Sequence, residues 1–123
     1  MRESNETIAE QTLQMLRDLQ DEQERWTQHG EFGSESPFAS WLDGVLSANR
    51  VTKAPLFGGP GEPQLMHWEL LLGWGGPSIL LELEIDGSGA VLVAWWGPTY
   101  RLPFGRVLTD IADELSAYDE AFN

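Results

Sequence analysis

The chain contains no cysteine. Disulfide frameworks, thiolate metal centres and thiol nucleophiles are thereby excluded, and a reducing compartment is the natural setting. Lysine occurs once, at Lys53, and the 7 basic residues face 20 acidic ones, leaving a net charge of −13 and a pI near 4.2. A field of that sign repels phosphate backbones and anionic membranes and attracts basic surfaces, so direct nucleic-acid or membrane binding is not expected. No apolar run approaches the roughly 20 residues of a membrane-spanning helix. Met1-Arg2-Glu3-Ser4 opens into a polar helix rather than a signal peptide. The expectation is a cytoplasmic protein of the host cell.

What is present is enough for a core. With 123 residues, 41% of them hydrophobic and 11% aromatic, a single packed domain over 1–123 is expected. Residues 6–28 read as an amphipathic helix: at about 100° per residue, Ile8, Thr12, Met15, Leu16, Leu19, Gln23 and Trp26 share one side. The opposite side holds Glu6, Glu10, Asp18, Asp21 and Glu24 with Arg17 and Arg25. Ser4 or Asn5 caps its start and Gly30 its end. Ser36-Pro37 signals a second helix over 37–48, with Phe38, Trp41, Leu42, Val45 and Leu46 on one face. Residues 51–63 read as a proline- and glycine-rich loop, with Leu56-Phe57 as a plug for the core.

Residues 64–102 alternate with period two and predict a three- to four-stranded antiparallel sheet, with strands at about 64–74, 78–86, 90–96 and 99–102. Gly75-Gly76-Pro77 and Gly87-Ser88-Gly89 mark the turns. A three-residue turn at the second pairs Glu84 with Leu92 and Glu82 with Ala94. One face then carries Leu81, Leu83, Ile85, Val91, Val93 and Trp95 towards the core. The other carries Glu82, Glu84 and Asp86 in a row about 6.6 Å apart, with His67 and Glu69 on the same side. A helix over 106–121 follows, with Val107, Leu108, Ile111, Leu115, Tyr118 and Phe122 on one side and Asp110, Asp113 and Glu114 among the rest. Acids in its C-terminal half oppose the helix dipole. The fold class expected is α+β, the sheet packed with an N-terminal helix pair and a C-terminal helix.

Catalytic motifs are scarce. The carboxylate row has a spacing close to that of inverting glycosidases, but alternating acids on any strand produce it. The histidines, His29 and His67, stand far apart in sequence with no ligand motif around them, and no G-x-S-x-G occurs. The expectation is therefore no enzyme, no catalytic residue, no metal and no cofactor. Trp95 and Trp96 are adjacent in a strand and point to opposite faces, which makes Trp96 the candidate anchor of an interface.

The run Trp68-Glu69-Leu70-Leu71-Leu72-Gly73-Trp74-Gly75-Gly76-Pro77-Ser78 resembles the W/YELLLxWGGPS strand–turn of small proteins carried by phages, plasmids and other mobile elements. The resemblance extends to about Tyr100, where Trp95-Trp96-Gly97-Pro98-Thr99-Tyr100 takes the place of that family's Trp-rich segment in different wording; the helical flanks stand outside it. It implies a mobile-element setting, in which small acidic proteins inhibit host defences such as CRISPR effectors or restriction enzymes. The function expected is a non-catalytic, anti-CRISPR-like or anti-restriction inhibitor whose carboxylates mimic nucleic acid on a basic protein or ribonucleoprotein complex. The partner-binding candidates are Glu6, Glu10, Asp18, Asp21, Glu24, Glu82, Glu84, Asp86, Trp96, Asp110, Asp113 and Glu114. The alternatives are an immunity or antitoxin protein that blocks a basic toxin, and a structural homodimer.

Overall fold

A computed structural model describes residues 4–29, 35–53, 64–95 and 97–122. In chain order these form α1 (Asn5–His29), α2 (Pro37–Leu42), β1 (Ser47–Lys53), β2 (Gln64–Gly73), β3 (Ser78–Leu83), β4 (Gly89–Ala94), β5 (Tyr100–Phe104) and α3 (Thr109–Phe122). The five strands make one antiparallel meander in the order β1-β2-β3-β4-β5. The α+β class and the flanking helices are as expected; the sheet is larger by one strand. The expected Gly30 stop and the Leu56-Phe57 plug lie outside the described residues.

The helix starts follow their local signals. Ser4 Oγ accepts from Thr7 N at 3.1 Å, and Ser36 Oγ accepts from Ala39 N at 3.1 Å with Pro37 in the first turn. Each hydroxyl satisfies a backbone donor that a helix start leaves open. α2 does not reach residue 48. It stops at Leu42, the chain turns at Asp43-Gly44, and Leu46 N bonds to Leu71 O at 2.9 Å as β1 joins the edge of β2. Gly44 weakens a longer helix, whereas Ser47–Lys53 as a strand fills the backbone hydrogen bonds that β2 would otherwise leave open. Val45 and Leu46 are therefore not part of a helical face, and the 51–63 loop loses its first three residues to β1.

All three helices lie on one side of the sheet. Their buried residues, among them Ala9, Leu13, Leu16, Phe38, Leu108, Ile111 and Leu115, form one core with Trp68 and Leu70 of β2, Leu81 and Leu83 of β3, and Val91 and Val93 of β4. Burial of this many aliphatic side chains, at about 25 cal/mol per Å² of apolar surface, is the main stabilising term. The buried arc of α1 is turned from the expected one towards Ala9, Leu13 and Gln20, leaving Met15 exposed. The cause is that α1 packs on β4, β5, α2 and α3 together.

The β3–β4 hairpin pairs Glu82 with Ala90 and Leu80 with Leu92, not Glu82 with Ala94. Its connection is longer than three residues because β3 ends at Leu83 and Glu84–Ser88 form the turn, closed by Glu84 N to Ser88 O at 2.8 Å. The shift is even, so the inward face keeps Leu81, Leu83, Val91 and Val93. Ile85, expected in the core, falls in the turn and is 52% exposed. Gly87 (φ +89°) lies against the start of α3, where a Cβ would sit 2.7 Å from Thr109 N. At the β2–β3 turn Gly76 (φ +146°) lies under the Trp95 ring, which a Cβ there would strike. The Gly-Gly-Pro turn is thus a seat for an aromatic ring as well as a reversal of the chain.

Candidate functional site

The acids selected from the sequence fall into three places, not one. Glu6, Glu10, Asp18, Asp21 and Glu24 are all exposed along the outer side of α1. From Glu6 to Glu24 the stripe runs about 27 Å, at about 1.5 Å per residue. Arg17 and Arg25 share its sector and are exposed as well. Within the stripe Gln14 Nε2 donates to Asp18 Oδ1 at 3.0 Å. Among the described residues every ion pair of an arginine with an acid lies elsewhere: Arg50–Asp119, Arg101–Glu82 and Arg106–Asp86.

The expected row of sheet carboxylates is broken. Glu82 alone stands on a strand, half-buried, with Arg101 Nη2 of β5 at 3.6 Å from its Oε2. Glu84 and Asp86 belong to the turn, where they serve its construction. Ser88 Oγ is 2.6 Å from both Glu84 Oε2 and Asp86 Oδ1, and Ser88 N donates to Asp86 Oδ1 at 3.0 Å. Arg106 Nε approaches Asp86 Oδ2 at 3.2 Å. Hydrogen bonds from the Ser88 hydroxyl and backbone, and then Arg106, hold the Asp86 carboxyl below its ordinary value of 3.8. These two acids are turn residues first.

On α3, Asp113 is exposed while Asp110 and Glu114 are half-buried. The helix acid that matters most to the fold is one that sequence reasoning did not select. Asp119 Oδ2 accepts from the buried Trp68 indole at 3.1 Å and pairs with Arg50 Nε at 3.0 Å. An acid near a helix C-terminus is unfavourable locally; here it ties α3 to β1 and β2. Two glutamines of α1 take roles the sequence does not mark, although Gln23 is on the side expected to be buried. Gln20 Oε1 accepts from Asp110 N and Ile111 N at 2.9 and 3.1 Å, and Gln23 Oε1 accepts from Phe38 N at 3.0 Å. Both are buried, and each caps the start of another helix. No sequence signal marks a cap supplied from a distant helix.

The sheet face turned away from the helices combines half-buried Leu71, Leu80 and Leu92, aligned across β2, β3 and β4, with His67, Glu69, Glu82 and Arg101. It and the outer side of α1 are opposite surfaces of the domain, since α1 packs on the other side of the sheet. Trp96 lies outside the described residues. Among the described tryptophans the projecting one is Trp74, 76% exposed at the β2–β3 turn, while Trp68 is 3% exposed.

The class these features define is a two-layer α+β domain, a five-stranded meander covered on one side by three helices, one of which carries acids along its outer side. Compared with models of protein families, with curated proteins and with solved structures, the chain matches none. Among the described residues, no helix is long and apolar enough to cross a membrane.

Proposed function

We propose that this protein is a non-catalytic inhibitor from a mobile genetic element, and that it occupies a basic nucleic-acid-binding surface of a host defence complex of the CRISPR or restriction type. The observation that carries the reading is the outer stripe of α1. Five carboxylates lie exposed on one side of a 25-residue helix, and none is held in an ion pair among the described residues. A helix is a rigid ruler, so such charges meet a basic groove with little ordering cost. Duplex DNA offers the same sign at fixed spacing, and Lys or Arg groups that bind it are open to competition from carboxylates. Glu84 and Asp86 are already engaged in their turn and Glu82 with Arg101, which favours α1 over the sheet as the contacting surface. The likeness of Trp68–Ser78 to the strand–turn of mobile-element proteins supplies the biological setting.

Capture from cells carrying defence systems, read by mass spectrometry, identifies the target. Reversing Asp18, Asp21 and Glu24 together to lysine is then expected to weaken binding by roughly tenfold or more, with the wild-type complex weakening steeply as salt rises. Reversing Glu82, Glu84 and Asp86 is expected to do less. A complex indifferent both to the α1 reversals and to salt refutes the reading.

A further inference from the structure

The sheet face turned away from the helices holds a cluster that the α1 reading does not use. His67 and Glu69, two apart on β2, project to the same side as Glu82, which stands directly opposite Glu69 across the β2–β3 ladder. Two carboxylates at directly paired strand positions repel one another. Here the side chains of Glu69 and Glu82 are only 36% and 25% exposed, so water screens that repulsion incompletely. Arg101 at 3.6 Å from Glu82 supplies one compensating charge for two acids. His67, 23% exposed, places Nε2 at 3.4 Å from Glu69 Oε1. One ligand atom from each of His67, Glu69 and Glu82 lies within 4.8 Å of the other two.

We propose that His67, Glu69 and Glu82 bind a divalent transition-metal ion of the zinc type. Zinc takes imidazole nitrogen and carboxylate oxygen at about 2.0–2.2 Å, which puts neighbouring donors of a tetrahedral site roughly 3.3 Å apart. The His67–Glu69 separation of 3.4 Å already has that value. The third donor closes by rotation about glutamate side-chain torsions, with the strand backbones unmoved. The paired strands fix the three attachment points: residues i and i+2 on one strand and the cross-strand partner of one of them form a triangle on a single face. An imidazole with only two carboxylates does not suit magnesium or calcium, which require six or more oxygens. Arg101 contacts Glu82 through Oε2, leaving Oε1 for the metal and orienting the carboxylate as an outer partner does in metal sites. Two carboxylates balance the ion's charge, and a fourth, non-protein position of a tetrahedral ion is taken by water.

The test is calorimetric titration of the metal-stripped full chain with zinc chloride in excess magnesium. Saturable uptake of one ion per chain is expected. His67→Gln, Glu69→Gln and Glu82→Gln are each expected to weaken it by roughly tenfold or more, and Glu120→Gln, at an exposed position of α3, to leave it unchanged. Circular dichroism of each variant reports whether the fold is intact, and having three ligand variants keeps the test decisive if one misfolds. Cobalt in place of zinc is expected to give the intense visible absorption of a four-coordinate ion. Absence of saturable uptake, displacement by magnesium, or uptake untouched by the ligand variants overturns the assignment and marks the ion as bound by general acidity. The titration needs no partner protein, so its outcome is independent of the role proposed for α1.

Discussion

Gln20 offers the sharpest test of how this domain is assembled. Its side-chain oxygen lies at 2.9 and 3.1 Å from the backbone N–H groups of Asp110 and Ile111, in the first turn of α3, and the residue is 7% exposed. Gln20→Met keeps the length and the helix propensity of the side chain but removes the acceptor. Two donors in the first turn of α3, one half-buried and one buried, then lose their partner. A net hydrogen bond contributes about 1 kcal/mol, and stranding a buried donor costs about 1–3 kcal/mol. The apolar gain of methionine offsets a part, so the expected loss is about 2–3 kcal/mol, at or above the roughly 2 kcal/mol upper end for removal of an N-cap because two donors are stranded. Against a total stability of about 5–15 kcal/mol, that is a large share. For a chain of this size it corresponds to a fall in Tm of about 8–12 °C. Thermal and urea unfolding followed by circular dichroism measure it, with Met at the exposed neighbour Asp21 as the control for surface change. If Gln20→Met melts within about 2 °C of the wild type, α3 is not capped by α1 and the packing argument fails.

Two further outcomes follow from the same geometry. Asp119→Ala strands the Trp68 indole N–H and releases Arg50, and is expected to cost about 2–3 kcal/mol with a changed near-ultraviolet tryptophan spectrum; Asp119→Asn, which keeps an acceptor for Trp68, is expected to lose less, and equal losses would refute the role of the Trp68 hydrogen bond. Asp86 has a folded-state pKa below its ordinary 3.8, so its carboxylate contributes stability above that value and the contribution is lost as pH falls through the folded one. Asp86→Asn is accordingly expected to melt below the wild type at neutral pH and to converge with it in acid; a gap that persists at the lowest pH would show that the charge is irrelevant to the turn.

The sequence by itself determined what depends on near neighbours and on period. The α1 helix and its acid stripe follow from 3.6-residue spacing, and the starts of α1 and α2 from Ser4 and Ser36-Pro37. The inward set Leu81, Leu83, Val91 and Val93 follows from alternation, and it survived a wrong hairpin register because the error was an even number of residues. Only the tertiary structure decided the rest. β1 has scarcely any buried side chain to give it a pattern; it is a strand because β2 offers it an edge. Glu84 and Asp86 left the carboxylate row because a turn stitched by Ser88 and Arg106, docked on α3 through Gly87, outweighs two more strand residues. Gln20, Gln23 and Asp119 look locally neutral or unfavourable, and their partners are supplied by elements distant in the chain. The same holds for His67, Glu69 and Glu82: the first two share a face by parity, but the third joins them only through the β2–β3 register. Parity is local and register is not, which is why the sequence alone could place the acids on a face and could not say which of them meet.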